Sequence, residues 1–302
     1  MKGKALTLLT PKAVDILRAV HFYRFMGALD VACLLSSPGA LTRVRKTLLA
    51  LSGGADFVER EYLYRFRLQG EGNAERVYTL GSRGRDFLVN ELGLPVSWYF
   101  RPHKIKHFSH AHVVHGLLLT RFLVAAKRFA EGQAGLTLTS SRTGYELAEL
   151  APGVLIEDEE GKRAVRVVPD AWLLFTRVEG RRERSLGLLL EIDRGREYQA
   201  AFKQHVASRV EFIASGAYER VFGSRGGVRI AYATTGERPE YRQRRVMTMM
   251  QWTAEVLKEA RWEDWADVFR FCALDLDTLY QLPLFSQPLW QRIGARAPVG
   301  LF

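Results

Sequence analysis

Apolar positions recur at helical spacing early in the chain, where Val14, Leu17, Val20 and Phe25 follow Thr10-Pro11. That pair suits a helix start, because Thr caps and Pro fits the first turn. Gly27 interrupts the pattern. Leu29 to Leu35 then predicts a second, short helix with Val31, Leu34 and Leu35 inward, and Ser36-Ser37-Pro38-Gly39 is turn chemistry. A third helix is predicted over Leu41 to Leu51, with Val44, Leu48, Leu49 and Leu51 apolar and Gly53-Gly54 as its stop. The other face of this helix opens with Thr42, Arg43, Arg45 and Lys46. Two strand-like runs follow, Phe57 to Leu68 and Arg76 to Leu80, joined by Gln69-Gly70-Glu71-Gly72-Asn73, a composition suited to positive φ. Arg65 and Arg67 alternate with Tyr64, Phe66 and Leu68, which predicts one basic strand face. Ser82 to Leu92 reads as a further helix.

Three helices and then a hairpin is the order of a winged helix-turn-helix. A helix that begins with Thr42, Arg43, Arg45 and Lys46 suits the major groove of double-stranded DNA, and a hairpin with Arg65, Arg67 and Arg76 suits the adjacent backbone or minor groove. A winged helix used for protein contacts is the alternative. Charge bears on the choice. The 302 residues carry 44 Lys and Arg against 33 Asp and Glu, a net +11. Residues 1–107 hold 17 basic and 9 acidic side chains, so 17 − 9 = +8, and the remainder contributes 27 − 24 = +3. A basic excess gathered at one end favours a polyanion.

Gly93 to His107 has few periodic positions and reads as a linker, 93–108, or a docking segment, between a DNA-binding domain at 1–92 and an α/β domain at 109–280. Five of seven histidines fall between His103 and His115. Spacings of four and three (His103/His107, His112/His115) suit a metal, but no Cys, Asp or Glu joins them, and they open a long amphipathic helix, Ser109 to Ala130. A helix-start and packing role is expected. Beyond it come strand-like runs at Ala164–Val168, Ala171–Phe175 and Leu186–Ile192, a helix at Glu197–Ala214, a strand at Val228–Thr234, a basic turn at Arg238–Arg245, a helix at Val246–Ala260 and a strand at Val268–Leu274. Residues 281–302, with Pro283, Phe285, Pro288, Trp290 and Phe302, read as an extended docking tail or as a tail packed on its own core. The order predicts a mixed α/β fold.

Glu191-Ile192-Asp193 closes an apolar strand, and strand alternation puts both carboxylates on one face. Two such charges repel and lose hydration unless something positive lies between them. Mg²⁺ (or Mn²⁺) held by Glu191 and Asp193, with Asp170 completing the site, is one solution. Pairing with Arg194 or Arg196 is the other. Two cysteines, Cys33 and Cys272, fit a reducing cytoplasm, and the short apolar stretch Ala5–Leu9 is too small for a signal segment. No run of about 18 uncharged apolar residues exists, so no membrane span is expected. Gly223-Ser224-Arg225-Gly226-Gly227 lacks the lysine of a phosphate-binding loop.

Pro169-Asp170, then Glu191-Ile192-Asp193 and a helix, resembles the core of the PD-(D/E)xK restriction-endonuclease-like fold. The resemblance implies metal binding by Asp170 and Glu191 and a lysine that activates water. Asp193 stands where that lysine belongs, which leaves Lys203 on the following helix as the candidate, with an exposed helix lysine as its plainer reading. Glu146 or Glu149 fits the acidic position of the preceding helix. The whole chain is more specifically similar to the replication-relaxation family of bacterial plasmids and mobile elements. That likeness rests on Tyr78-Thr79-Leu80-Gly81-Ser82-Arg83-Gly84, His110 to His115, Val168-Pro169-Asp170-Ala171 and Leu190-Glu191-Ile192-Asp193-Arg194-Gly195-Arg196-Glu197 with Lys203. It implies DNA binding in replication or relaxation of such an element. Two functions follow as expectations. One is a metal-dependent endonuclease with Asp170, Glu191, Asp193 and Lys203 as catalytic residues. The other is a non-catalytic adaptor that recruits a replication, mobilisation or transcription partner, or a second copy of the chain.

Overall fold

The computed structural model describes residues 9–56, 58, 60–68, 76–96, 107–150, 153–158, 161–195, 197–236, 238–274, 279–280 and 284–301. The hairpin loop at 69–73 and His103 lie outside them. The fold is mixed α/β, in two compact units, Met1–Val124 and Ala125–Phe302.

The first unit runs α1 (Pro11–Tyr23), β1 (Met26–Gly27), α2 (Ala28–Leu35), α3 (Leu41–Leu51), β2 (Leu63–Arg67), β3 (Arg76–Leu80), α4 (Ser82–Asn90) and the greater part of α5 (His110–Glu131). The Thr10 hydroxyl accepts from the Ala13 N–H at 3.3 Å, as its capping role requires. Helix α1 ends at Arg24, at φ 69°, three residues before the predicted stop at Gly27. The freed residues Met26 and Gly27 pair with Tyr78 and Val77 and make an unforeseen third strand, giving the order β1-β3-β2. Asp30 accepts from the Gly27 N–H at 2.5 Å, is fully buried, and meets Arg121 of α5 at 3.5 Å. Gly81 and Gly84 are needed for close approach. A Cβ at either would collide with the Glu61 or Tyr62 carbonyl oxygen, against which α4 begins.

The sheet of this unit is covered on both faces. Ile16, Leu17, Val20, Val44, Leu48, Leu63 and Leu80 share one core. Phe25, Tyr64, Phe66 and Val77 meet Val113 and Leu117 of α5 in another. The Thr120 hydroxyl donates to the Phe25 carbonyl at 2.8 Å and lies 3.1 Å from that of Tyr23. At the start of α5 it is Val113 and Leu117 that pack, while His107, His110 and His112 are exposed. His112 lies 4.7 Å from the Phe108 ring, and partial burial, ahead of the nearby Arg24 and His115, lowers its pKa.

The second unit runs β4 (Leu136–Thr143), α6 (Gly144–Leu150), β5 (Gly153–Asp158), β6 (Gly161–Arg166), β7 (Ala171–Glu179), β8 (Arg182–Asp193), α7 (Gln199–Ala214), α8 (Ala217–Phe222), β9 (Gly227–Thr234), α9 (Pro239–Glu259) and β10 (Phe269–Ala273). Its main sheet has the order β10-β9-β8-β7-β4, with β8, β9 and β10 parallel and β7 and β4 antiparallel. Strand β4 was not predicted, because Leu-Thr-Leu-Thr-Ser-Ser-Arg-Thr is largely polar, as an edge strand can be. The first three residues of the run at Ala164–Val168 belong to a separate hairpin, β5 with β6. Arg238–Arg245, predicted as a turn, forms the N-cap and first turns of α9, with Pro239 in the first turn.

Helices α7 and α9 pack together, and Phe202, Val206, Met249 and Val256 meet Leu189, Ile230 and Phe269 in one core. Past the sheet, Phe285 stacks on Phe129 at 5.2 Å and lies 5.8 Å from Phe175. Trp290 is fully buried and donates from Nε1 to the Leu284 carbonyl at 2.9 Å, and Gln291 bridges to Phe271. Of the two alternatives for the C-terminal residues, packing on their own core describes Leu284, Phe285, Trp290 and Leu301, which are buried, while Pro283 and Phe302 lie outside the described residues. No helix among the described residues is long and apolar enough to cross a membrane.

Candidate functional site

Two groups of residues carry chemistry, one in each unit. In the first, α3 turns Val44, Leu48 and Leu51 inward and leaves Thr42, Arg43, Arg45 and Lys46 exposed. No described carboxylate pairs with these three cations. Their charge is open to a ligand along one helix face.

The hairpin divides its arginines. Arg65 does not lie on an exposed basic face as predicted. It is 7% exposed, pairs through Nε with Asp56 at 2.7 Å, and donates from Nη2 to the Gly54 carbonyl at 2.8 Å. Alternation was read correctly, but tertiary packing covers both faces of β2, so Arg65 ties the strand to the loop after α3. Arg67 and Arg76 are exposed and face each other across the two strands. Asp56 reaches Arg67 at 3.8 Å. Like charges directly opposite are unfavourable in a sheet unless an anion intervenes.

In the second unit, Ala171 pairs with Leu190, so the register brings Asp170 beside Glu191. Asp170 accepts from the Ile192 N–H at 2.7 Å. Glu191 accepts at one oxygen from Nε of Arg209 at 2.8 Å and from its Nη2 at 2.5 Å. Arg209 comes from α7 and is buried. Burial pushes the Glu191 carboxyl up to about 7; Arg209 opposes that rise and Asp170 adds to it. Asp193 is held by Arg245 of α9 in a two-pronged pair, Nε to Oδ2 at 2.9 Å and Nη2 to Oδ1 at 3.0 Å, and accepts from the Thr234 hydroxyl at 3.3 Å. Arg245 also donates to the Glu197 carbonyl at 3.1 Å, and its guanidinium lies 5.2 Å from the Trp252 ring centre. The buried Tyr232 hydroxyl has no hydrogen-bond partner among the described residues, and burial pushes its pKa up against the opposing effect of the nearby Arg209.

The other expected members are elsewhere. Lys203 points to α9, with Glu255 at 2.9 Å and Glu259 at 3.5 Å. Glu146 is exposed and accepts from the Thr143 N–H at 3.4 Å, at the start of α6. These residues do not fit Mg²⁺ or Mn²⁺ as arranged. Such ions need several free oxygens around one point, yet Arg245 takes both oxygens of Asp193, Arg209 takes one of Glu191, and the Ile192 N–H takes one of Asp170. No group of three His, Cys, Asp or Glu among the described residues is placed to hold a metal. Positive charge is supplied to Glu191 and Asp193 by two helix arginines, Arg209 and Arg245, while Arg196, weighed from sequence, lies outside the described residues. A signal for Arg209 was present: it lies three residues after Val206 and seven after Phe202, on the apolar stripe of α7. A charge on a core stripe needs a buried partner.

No family model, no curated protein and no solved structure matches this chain.

Proposed function

We propose that this chain is a DNA-binding protein whose first unit is a winged helix-turn-helix. Its second unit is a PD-(D/E)xK-like scaffold that does not cleave in this arrangement. The adaptor function expected from sequence is therefore preferred to the endonuclease. The observation that carries the DNA reading is the exposed start of α3, with Thr42, Arg43, Arg45 and Lys46 unpaired above a buried Val44, Leu48 and Leu51. Helices of this kind place their N-terminal residues against base edges and phosphates of duplex DNA. Arg67 and Arg76, opposed across the hairpin, add a second cationic point in the same unit. The resemblance of its sequence motifs to the replication-relaxation family, which no family model matches, implies a role in replication or relaxation of a plasmid or mobile element, with a replication or mobilisation protein as the expected partner.

The nuclease reading draws support from Asp170 and Glu191, which are adjacent, but Arg209 occupies Glu191 and Lys203 faces other carboxylates. One experiment separates the readings. Arg43→Ala/Arg45→Ala/Lys46→Ala is expected to weaken duplex binding at least tenfold at about 100 mM salt with the unfolding midpoint unchanged, and supercoiled plasmid with Mg²⁺ is expected to stay intact. Unchanged binding by the triple variant would overturn the DNA reading. Nicking that is lost in Glu191→Ala would restore the nuclease.

A further inference from the structure

Three arginines of the second unit converge on a single carboxylate. Arg229 of β9 lies 3.5 Å from Asp267, Arg270 of β10 lies 3.7 Å away, and Arg292 of the C-terminal segment lies 2.6 Å away. No other ion pair of these arginines exists among the described residues. Three positive charges against one negative leave the cluster at +2. Arg270 is 5% exposed, and the Nε of each arginine is buried without a hydrogen-bond partner among the described residues. A surface arginine in excess is ordinarily harmless because water screens it. Here the guanidiniums are crowded and partly dehydrated, so their mutual repulsion is poorly screened. Burial, then Arg229 and Arg292, bring the Arg270 pKa down to about 10, with Asp267 opposing the fall.

Asp267 sits at the mouth, 53% exposed, while Arg292 and Arg229 are 40% and 24% exposed. The cluster thus opens to solvent on the side where the carboxylate stands. Forked guanidinium donors around a compact oxyanion are the geometry that binds phosphate.

We propose that Arg229, Arg270 and Arg292 form a binding site for a phosphate group, with Asp267 as the internal counter-ion that a phosphate joins or displaces. A dianion matches the +2 deficit. The phosphate comes either from a free anion such as inorganic phosphate or a nucleotide, or from the backbone of a DNA strand. The site shares no residue with the α3 surface or with the Glu191 pair, so its failure leaves the proposed function standing, and the reverse holds.

The test uses the full chain at matched ionic strength. Inorganic phosphate is titrated against chloride by calorimetry, and short oligonucleotides are titrated by anisotropy. The wild type is expected to bind phosphate in preference to chloride. Arg229→Gln/Arg292→Gln, two partly exposed positions, is expected to weaken that binding at least tenfold. Asp267→Asn, which removes the internal anion, is expected to tighten it several-fold. This second variant keeps the proposal testable if the double variant unfolds. If the source is a DNA backbone, the double variant also loses oligonucleotide affinity with a shallower salt dependence, and free phosphate competes. If the source is a free anion, oligonucleotide binding is unchanged. No preference for phosphate over chloride, or equal phosphate binding in wild type and both variants, overturns the site and leaves the cluster as a staple between the C-terminal segment and the sheet.

Discussion

Glu191 is a carboxyl whose burial makes ionisation harder, despite a guanidinium within hydrogen-bonding distance. Its pKa rises on folding, from 4.5 to about 7. Between those values the folded chain keeps a proton that the unfolded chain has lost. Linkage then requires this group's stability contribution to be full below about 4.5, to fall as pH rises towards 7, and to level off above it. Wild type is expected to lose stability relative to Glu191→Gln between pH 5 and pH 7.5, at roughly 1 kcal/mol per pH unit at the steepest point. Urea denaturation at several pH values reads this, and a difference that stays flat or grows the other way refutes it. Arg209→Met leaves Glu191 and Asp170 adjacent with no cation between them. A loss of about 3 kcal/mol is expected, with the pH-dependent fall displaced to higher pH. Sequence made the need for a positive partner at Glu191 legible. It did not show which cation, because Arg209 is 18 residues away and reaches Glu191 through the packing of α7 on the sheet.

At the scale of elements, the hairpin and α3 show how one residue type takes two roles. Arg65 is locked between Asp56 and the Gly54 carbonyl, whereas Arg67 and Arg76 stand in solvent. Arg65→Ala is expected to destabilise the first unit by about 2 kcal/mol, since Asp56 is partly hydrated and recovers some of the loss. Arg67→Ala and Arg76→Ala are expected to change stability by no more than about 0.5 kcal/mol. Each should instead lower DNA affinity and reduce the salt slope by about one. Denaturation and anisotropy together check this contrast, and an Arg65 variant that weakened binding without touching stability would reverse the assignment. The bounds of α3 and β3 were readable because apolar spacing and flanking glycines agree with the fold. The cover over the Arg65 face of β2 was not readable, since it comes from Asp56 and the Gly54 carbonyl, whose approach is set by how the loop after α3 packs rather than by strand alternation.

For the whole molecule, the C-terminal segment adds buried contacts to the second unit. Trp290 is enclosed and donates to the Leu284 carbonyl, and its neighbour Gln291 bridges to Phe271 at the edge of the main sheet. Trp290→Ala is expected to cost about 3–5 kcal/mol, seen as a lower unfolding midpoint for the second unit. A free docking tail would lose almost nothing. Crowding three arginines on Asp267, one of them from this segment, joins the same closure to the proposed phosphate site.

The sequence by itself determined the mixed α/β class, the three-helix and hairpin order of the first unit, and the shared face of Glu191 and Asp193. Each follows from local rules of period, capping and alternation, which act within a few residues. Only the tertiary structure decided which charges are free. Arg43 and Arg65 look alike in a sequence, as do Lys203 and Arg209. Folding exposes the first of the earlier pair and buries the second, and it turns Lys203 to α9 while seating Arg209 on Glu191. The reason is physical: a charge acts through what lies within a few ångströms, and those neighbours are set by packing between elements distant in the chain.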